Sequence, residues 1–492
     1  MRSLTDKAVL LILANAIKYA VGFILPMVLV RLLTKEEYGT YTQLSLVSSI
    51  ANGVMVLGLP MSVYYFYHRV AKDPAGRPTL IAQTQLMLLL SGVFSSIVIV
   101  MASPMLAAKM SNPALGELLP RYALFVGLFI AGEHFMHVMI SQNRYVMAVG
   151  LEAAETAFRV IVMVGLLLLG FRLYELVLAL VLYALLRLLI RSYWLWHGPD
   201  TVNQASWQAR FPLEQLAYSL PLAATTCVGM LGGMLDRWIV AVSFTPVEFA
   251  IYSVGALEIP LDSIFQASVS NVLRASLPAL ASEGRTDEII RIWRESVRKL
   301  AIIMIPSFVF LFCFAGMFIT TLFTSRYAES THVFRIYVCM MPLYMLVLSI
   351  VPQVYGKTRL NLYVVCVAMT TNVVLSLVLL RYVGILGPAI ALVFSCYLSS
   401  AMFFVVTKRL LKARTSQLLP FPALARTTAA SLIAVAPALG VAELIGPGLV
   451  SFACAGVTFA VSGVIAGYFL RVFSSGDIDI ARSVIRRVVP GF

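Results

Sequence analysis

Residues 80–102 read LIAQTQLMLLLSGVFSSIVIVMA, an apolar run that contains no charged side chain. Arg77 precedes the run and Lys109 follows it. The hydrocarbon core of a bilayer is about 30 Å thick, and about 20 helical residues cross it. Because backbone polar groups in lipid must bond to one another, such a run predicts a transmembrane α-helix.

Similar runs occupy most of the chain. Of the 492 residues, 60% are hydrophobic and only 12% are charged, whereas a soluble domain carries about 25% charged residues. The runs are separated by charged or turn-forming residues, and they lie near 8–30, 40–65, 80–102, 120–141, 146–169, 173–196, 213–242, 247–277, 300–323, 333–354, 360–381, 385–407, 421–443 and 448–470. We therefore predict about fourteen transmembrane helices.

The distribution of positive charge gives the predicted orientation, because Lys and Arg accumulate in cytoplasmic loops. With both termini placed in the cytoplasm, the inside segments hold 22 of the 37 Lys and Arg residues, the outside loops 5 and the spans 10. The net charge of +14 is thus explained by topology, and no nucleic-acid partner is predicted. The longest inside connection, Ser282–Lys299, mixes Ile, Trp and Val with charges and predicts an amphipathic helix on the membrane surface.

Two short motifs recur along the chain. Residues 34–41 read TKEEYGTY and residues 245–252 read TPVEFAIY, so that Thr, Glu, an aromatic residue, a small residue and Tyr repeat at an offset of 211. Residues 179–182 (ALVL) and 391–394 (ALVF) match at an offset of 212. Six spans are an even number, so the repeats have the same orientation. Parallel repeats of this kind are a transporter architecture with the site at their interface.

The predicted fold class is an all-α polytopic membrane protein, with two six-helix lobes in a pseudo-two-fold repeat plus two C-terminal helices. The predicted parts follow from the spans: an N-terminal six-helix lobe at 1–196, a cytoplasmic inter-lobe loop at 197–212, a C-terminal six-helix lobe at 213–410, transmembrane helices 13 and 14 at 411–472, and a cytoplasmic tail at 473–492.

Polar side chains inside spans indicate candidate sites, because charge at membrane depth is costly and usually faces a cavity or a partner. Asn15, Lys18 and Gly22 are spaced to share one face of span one, so Lys18 would project into a central cavity as an anion site. The alternatives are that Lys18 snorkels to the surface or pairs with a carboxylate. In span five, the i, i+4 spacing of Glu155 and Arg159 suits a salt bridge within the helix.

Two further clusters of titratable residues have open interpretations. Glu258 and Asp262 in span eight are spaced i, i+4 and would bind a coupling proton or sodium ion, or else neutralise Lys18 or Arg159 across the bundle. Glu133 and His137 share a face of span four, but no third ligand stands at a motif spacing, so no metal site is predicted.

Short motifs in a fixed order carry a family resemblance. They are Arg31–Tyr41, Gly58–Pro60, Tyr218–Leu222 leading to Asp236, Phe249 with Tyr252, Leu277–Pro278 with Glu283–Gly284, Gly356–Lys357, Asn372–Val373 and Tyr382–Ala389. In their order and spacing, over roughly residues 1–410, the chain resembles the polysaccharide-repeat-unit (lipid-linked oligosaccharide) flippases. That family belongs to the multidrug/oligosaccharidyl-lipid/polysaccharide exporter superfamily.

The resemblance implies a transporter rather than an enzyme. It implies that the chain moves polyprenyl-pyrophosphate-linked oligosaccharide from the inner to the outer leaflet of the cell inner (cytoplasmic) membrane by alternating access, for O-antigen, capsule or exopolysaccharide synthesis. The implied partners are this lipid-linked oligosaccharide, membrane lipids, and a glycan polymerase with its chain-length machinery. No cofactor is implied beyond a coupling proton or sodium ion.

Combined with the residues, the resemblance gives a site hypothesis. Lys18 and Arg159 would neutralise the pyrophosphate, with Asn15 beside Lys18, and the sugar would pass Gln43, Asn52 and Tyr64 as the lobes rock about the cavity. The alternatives are a lipid II or multidrug transporter of the same superfamily, and a membrane glycan polymerase or ligase. Such enzymes generally need a large outside loop, and every predicted outside loop is short.

Overall fold

The computed structural model describes residues 20–70, 75–198, 210–474 and 477. Across these residues the regular secondary structure is helical, without strands, which confirms the predicted all-α fold. The chain divides into two compact units, Met1–Ser253 (unit 1) and Val254–Phe492 (unit 2).

The α-helices are labelled in chain order. Those that begin in unit 1 are α1 (described over Ala20–Leu32), α2 (Lys35–Met55), α3 (Leu59–Arg69), α4 (Gly76–Lys109), α5 (Ala114–Ala131), α6 (Phe135–Ser141), α7 (Tyr145–Leu168), α8 (Leu173–Trp196), α9 (Arg210–Ser243) and α10 (Pro246–Gly255).

Unit 2 continues the series and also contains a short 3-10 turn, Ser325–Tyr327. Its helices are α11 (Pro260–Ser282), α12 (Thr286–Cys313), α13 (Ala315–Phe323), α14 (Ser330–Val338), α15 (Met341–Tyr344), α16 (Ile350–Val354), α17 (Thr358–Val383), α18 (Leu386–Leu410), α19 (Thr415–Leu418), α20 (Phe421–Ile445) and α21 (Leu449–Phe469).

Ten helical segments of the described residues are long and apolar enough to cross a membrane. They overlap predicted spans two, three, four, six, seven, nine, eleven, twelve, thirteen and fourteen. The other four predicted spans are helical over most of their described residues, but each departs from an uninterrupted apolar helix. Span one is described only from Ala20, span five (α7) carries three charged residues, and spans eight and ten are broken into shorter helices. The prediction of a polytopic membrane protein is confirmed.

The break in span eight changes one part of the site hypothesis. Residues 257–259 are not helical, and Ile259 has the extended conformation that a following proline favours. Glu258 therefore precedes α11, which begins at Pro260. The prediction that Glu258 and Asp262 share one helix face is wrong, whereas their role in ion binding stays a prediction.

The repeated motif has a physical explanation as a helix start. At the beginning of α2, the Glu37 N–H donates to Thr34 Oγ1 (3.1 Å) and the Thr34 N–H donates to Glu37 Oε2 (2.9 Å). Thr245 and Glu248 form the same reciprocal pair at α10, with distances of 3.3 and 2.9 Å. Each capping box satisfies backbone donors that a helix start would otherwise leave unpaired. The offset of 211 thus relates two equivalent helix starts.

Small residues allow α4 and α5 to approach closely in unit 1. A Cβ atom added at Gly127 would lie 2.3 Å from Ser96 Oγ and 2.7 Å from the Gly92 carbonyl oxygen. Ser96 also donates a hydrogen bond to the Ala123 carbonyl (2.7 Å). Close backbone packing of this kind replaces the hydrophobic driving force that lipid removes.

The amphipathic stretch predicted at 282–299 is not a separate surface helix. It forms the first part of α12, which continues without interruption to Cys313. Ile289, Trp293 and Val297 are at most 1% exposed and pack in the core of unit 2 with Leu273 and Leu277 of α11. Their apolar face is therefore covered by protein rather than by lipid.

Helix α9 belongs to unit 1, together with the helices that precede it in the chain. Within unit 1, α9 packs against α2, α3 and α4, and Gln215 donates to Ser62 Oγ and Thr84 Oγ1, both at 2.9 Å. Most of the predicted inter-lobe loop and tail lies outside the described residues. The predicted domain boundaries stay predictions.

Candidate functional site

A break between α5 and α6 creates acceptors inside unit 1. The chain forms turns at Gly132, Glu133 and His134 instead of continuing the helix. The last carbonyl groups of a helix have no partner one turn ahead, and they carry the negative end of the helix dipole. The carbonyl oxygens of Phe129 and Gly132 are therefore placed to accept hydrogen bonds from cationic side chains.

Arg187 of α8 takes one of these positions. Its Nη1 donates to the Phe129 carbonyl (3.0 Å), and its Nη2 donates to Glu133 Oε1 (2.8 Å). The guanidinium carbon also lies 3.8 Å from the centroid of the Phe129 ring, a cation–π geometry. Arg187 thus caps α5 and neutralises the carboxylate that follows it.

Arg191 lies one turn further along α8 and binds Glu155 of α7. Arg191 Nε donates to Glu155 Oε1 (3.0 Å) and Nη2 donates to Oε2 (2.6 Å), a bidentate pair. Its Nη1 donates to the Gly132 carbonyl (2.9 Å), and Arg187 Nε also approaches Glu155 Oε2 at 3.5 Å. The side chains of Glu155, Arg187 and Arg191 are at most 7% exposed. We call Glu133, Glu155, Arg187 and Arg191 the buried charge cluster.

The cluster leaves Arg159 without the partner that the sequence predicts. The predicted salt bridge between Glu155 and Arg159 is wrong, because both Glu155 oxygens bind arginines of α8. Arg159 lies one turn after Glu155 on α7 and is half-buried. Its Nε is buried without a hydrogen-bond partner, and Arg159 forms no ion pair within the described part of the chain. An unneutralised cation therefore stands beside a neutral network, in the middle of a predicted span.

One residue proposed for sugar contact lies against this region. The Tyr64 ring on α3 contacts the His137 ring on α6, with 5.1 Å between ring centroids. His137 lies four residues after Glu133, and the Tyr64 side chain is 36% exposed. The structure thus brings Tyr64 next to the segment that carries Glu133.

Other residues of the site hypothesis lie elsewhere. Gln43 is fully buried, where its Nε2 donates to the Met110 carbonyl (3.3 Å) and its Oε1 accepts from Asn112 (2.7 Å). Its amide therefore binds the connection between α4 and α5. Asn52, near the end of α2, is half-buried, and its Oδ1 has no hydrogen-bond partner among the described residues.

The remaining candidates have no description of their side chains or lie at a surface. Asn15 and Lys18 fall outside the described residues, and for Asp262 only the backbone is described. Glu258 is exposed. Among the described residues, no group of three His, Cys, Asp or Glu side chains is arranged to hold a metal ion.

Arg187 and Arg191 were not among the candidates predicted from the sequence. Both lie inside predicted span six, and the structure places both within α8 and buried. Their i, i+4 spacing within a 24-residue helix of high hydropathy was the available signal. Two arginines on one face of a span predict carboxylate partners on neighbouring helices.

Comparison with known proteins agrees with this architecture. The chain's fold is similar to that of a lipid II flippase, MurJ, in an inward closed conformation, with a TM-score of 0.68 and 13% identity over 93% of this chain and 98% of that one. It is also similar to an inward-facing multidrug resistance MATE family transporter of the MOP superfamily, with a TM-score of 0.67 and 14% identity over 80% of this chain and 94% of that one.

A third similar structure is a MOP superfamily transporter from Pyrococcus furiosus, with a TM-score of 0.52 and 13% identity over 82% of this chain and 94% of that one. These likenesses establish the fold. No curated protein matches the sequence. The profile of the family described as "Polysaccharide biosynthesis protein" matches residues 28–332, more than half of the chain. The chain therefore belongs to the polysaccharide biosynthesis protein family.

Proposed function

We propose that this chain is a flippase that moves polyprenyl-pyrophosphate-linked oligosaccharide from the inner to the outer leaflet of the cytoplasmic membrane, by alternating access. The observation that carries the proposal is Arg159. Its guanidinium is half-buried in the middle of a predicted span, and no carboxylate of the described chain neutralises it.

The energetics of charge in membranes favour an anionic ligand for Arg159. Placing an arginine at the centre of a transmembrane helix costs about 2.5–3.5 kcal/mol on insertion scales. The protein offsets this cost for Arg187 and Arg191 with two carboxylates and two carbonyls, but not for Arg159. A pyrophosphate supplies the missing negative charge and matches the planar, bidentate guanidinium. Lys18 is the second cation of the proposal, on sequence grounds.

The other parts of the substrate match other features of unit 1. A sugar has polar hydroxyl groups and apolar faces, and the exposed Tyr64 ring next to His137 offers both an aromatic face and a hydroxyl group. Asn52 and Asn15 are proposed as further polar contacts. The polyprenyl tail would remain in the bilayer, where many large apolar side chains are exposed.

The same proposal covers coupling, partners and location. Glu258 and Asp262 are proposed to bind the coupling proton or sodium ion, and a glycan polymerase with chain-length machinery would take the product. Both termini are proposed to be cytoplasmic. Family membership supports a role in polysaccharide synthesis rather than drug export.

A second candidate is transport of lipid II. The lipid II flippase structure covers 93% of this chain, whereas the multidrug transporter structure covers 80%. This difference favours a lipid-linked substrate over a drug. The family match then favours a polysaccharide precursor over lipid II.

Deleting the gene tests the function directly. We expect lipid-linked oligosaccharide to accumulate on the cytoplasmic face of the membrane, and a plasmid-borne wild-type copy to restore export. Accumulation on the outer face would instead identify a polymerase or ligase. Normal export in the deletion strain would overturn the proposal.

Complementation with variants then tests the anion site. Arg159→Gln and Lys18→Ala should fail to restore export although both reach the membrane. Arg381→Gln removes an exposed arginine at the end of α17 and should restore it. Full export by Arg159→Gln would remove Arg159 from the site.

A further inference from the structure

A cationic groove lies in unit 2, between residues 291–299 of α12 and the start of α20. It has a volume of about 690 Å³ and is open to the surroundings. Its charged lining residues are Arg291, Arg294, Glu295, Arg298, Lys299 and Arg426. Five positive side chains thus face one carboxylate in a single groove.

Ion pairing within the chain covers only part of this charge. Glu295 binds Arg298 at 2.6 Å and approaches Lys299 at 3.8 Å. Arg294 approaches the Gln417 carbonyl at 3.5 Å. Arg291 and Arg426 are exposed, and neither forms a side-chain hydrogen bond or an ion pair with another described residue. The groove therefore offers two uncommitted guanidinium groups, one on each of its walls.

One arginine of the groove, Arg298, already binds a carboxylate of the chain. Asp477 Oδ2 accepts from Arg298 Nη1 at 2.7 Å, and Oδ1 accepts from Nη2 at 2.9 Å. This bidentate geometry is typical of carboxylate and phosphate recognition by arginine. Arg298 is thereby occupied, whereas Arg291 and Arg426 have no comparable anion.

Apart from Ser296, the remaining lining is apolar and indicates a lipid rather than a soluble anion. Ile292 of α12 and Pro420, Pro422 and Ala423 at the start of α20 form the other walls of the groove. Arg426 is in the second turn of α20, a helix apolar enough to span the membrane. Cationic side chains at the end of a spanning helix are at headgroup depth, with acyl chains beside them.

We propose that this groove binds the phosphate headgroup of an anionic phospholipid, with Arg291 and Arg426 as its main ligands and Arg294 and Lys299 as supporting charges. The sequence predicts the cytoplasmic side for these residues, and the anionic surface potential of that leaflet attracts basic side chains. The site is formed by unit 2 alone and does not depend on the proposed transport of oligosaccharide.

Lipid binding to the purified full-length protein in neutral detergent tests the proposal. The probes are phosphatidylglycerol, phosphatidylcholine and inorganic phosphate, with binding counted by native mass spectrometry. We expect selective binding of phosphatidylglycerol. The double variant Arg291→Gln/Arg426→Gln should lower its affinity about 25-fold, since each basic side chain near the surface contributes about fivefold.

Two controls separate the site from a general charge effect and from misfolding. Arg409→Gln removes an exposed arginine in the last turn of α18, outside the groove, and should leave binding unchanged. Arg291→Lys/Arg426→Lys keeps both charges and should bind within about threefold of the wild type. The single variant Arg426→Gln should lose about fivefold and avoids the larger perturbation.

Three outcomes would overturn the proposal. The first is undiminished phosphatidylglycerol binding by both Gln variants. The second is equal binding of phosphatidylcholine by the wild-type protein. The third is displacement of phosphatidylglycerol by millimolar inorganic phosphate, which would identify a soluble anion as the ligand.

Discussion

The two units of this chain differ in where they keep their charges. Among the described residues, the charged side chains that are buried all belong to unit 1, and they are Glu155, Arg187, Arg191 and Asp236. The buried polar side chains of unit 2 are Ser, Thr and Asn. At an offset of 212 from the buried charge cluster, unit 2 has Met345, Val367, Ser399 and Phe403.

The interiors of the two units therefore differ, whereas the repeated helix start occurs twice within unit 1. Reciprocal Thr–Glu capping boxes begin both α2 and α10. The charge cluster has no counterpart in the described part of unit 2, whose cations gather instead in a surface groove. Local signals for helix formation thus recur along the chain, whereas the buried ion pairs of the described residues all lie in unit 1.

The largest expected effect comes from breaking the cluster at Glu155. Glu155→Gln leaves Arg191 and Arg187 without their shared carboxylate. Removing one partner of a buried ion pair costs about 3–5 kcal/mol. Unfolding of the purified protein in detergent should report a loss of this size.

Unit 2 supplies the control for that variant. Glu443→Gln removes an exposed carboxylate of α20 and should change stability by less than about 0.5 kcal/mol. The double variant Glu155→Gln/Arg191→Gln should lose less unfolding free energy than its two single variants lose in sum, because it removes both partners of the pair. Equal losses for Glu155→Gln and Glu443→Gln would contradict the assigned role of the cluster.

Helix packing should respond alike in both units. Gly127→Ala places a Cβ atom 2.3 Å from Ser96 Oγ, and Gly387→Ala places one 2.6 Å from the Leu379 carbonyl carbon. Overpacking of this kind costs about 1–3 kcal/mol. Thermal unfolding should show lower stability for both of these variants. Gly165→Ala on α7 meets nothing within 4 Å and should be neutral or slightly stabilising.

The two capping boxes should contribute equally. Thr34→Ala and Thr245→Ala each remove the side-chain acceptor of a helix start. Loss of such a cap costs about 1 kcal/mol. Chemical unfolding of the two variants should agree within experimental error. A loss for only one of them would show that the repeated motif does not have the same structural role in both places.

The smallest expected effect concerns the ion pair between Asp477 and Arg298. Arg298 holds the pKa of the Asp477 carboxyl well below its usual value of 3.8. A lowered folded-state pKa means that the pair stabilises the protein above pH 3.8, and that this contribution disappears as the pH falls through the lowered pKa.

Stability measured for Asp477→Asn tests this pair. The pair is partly solvated, so the loss at neutral pH should be at most about 1 kcal/mol. The difference between wild type and variant should stay constant from pH 8 to pH 5. A difference that vanishes already at pH 6 would contradict the lowered pKa.

The sequence predicted the helical membrane fold because long apolar runs have one stable solution in lipid. The breaks at 257–259 and between α5 and α6 were not predicted. Pro260 was an available signal for the first, whereas at the second the carbonyls bind arginines of another helix, which local sequence does not reveal. The sequence predicted a partner for Arg159 from spacing within one helix. Glu155 instead binds Arg191 of α8. This contact between two helices cannot be predicted from residue spacing along α7.

The proposed function depends most on Arg159, which forms no ion pair in the described part of the chain. Transport in proteoliposomes tests its role most directly. The measurement is the rate at which wild-type protein, Arg159→Lys and Arg159→Gln move polyprenyl-pyrophosphate-linked oligosaccharide between leaflets, scored by access of an added glycosidase. We predict movement by the wild type, slower movement by Arg159→Lys because a point charge replaces the bidentate fork, and none above background by Arg159→Gln. Equal rates for wild type and Arg159→Gln would contradict the account.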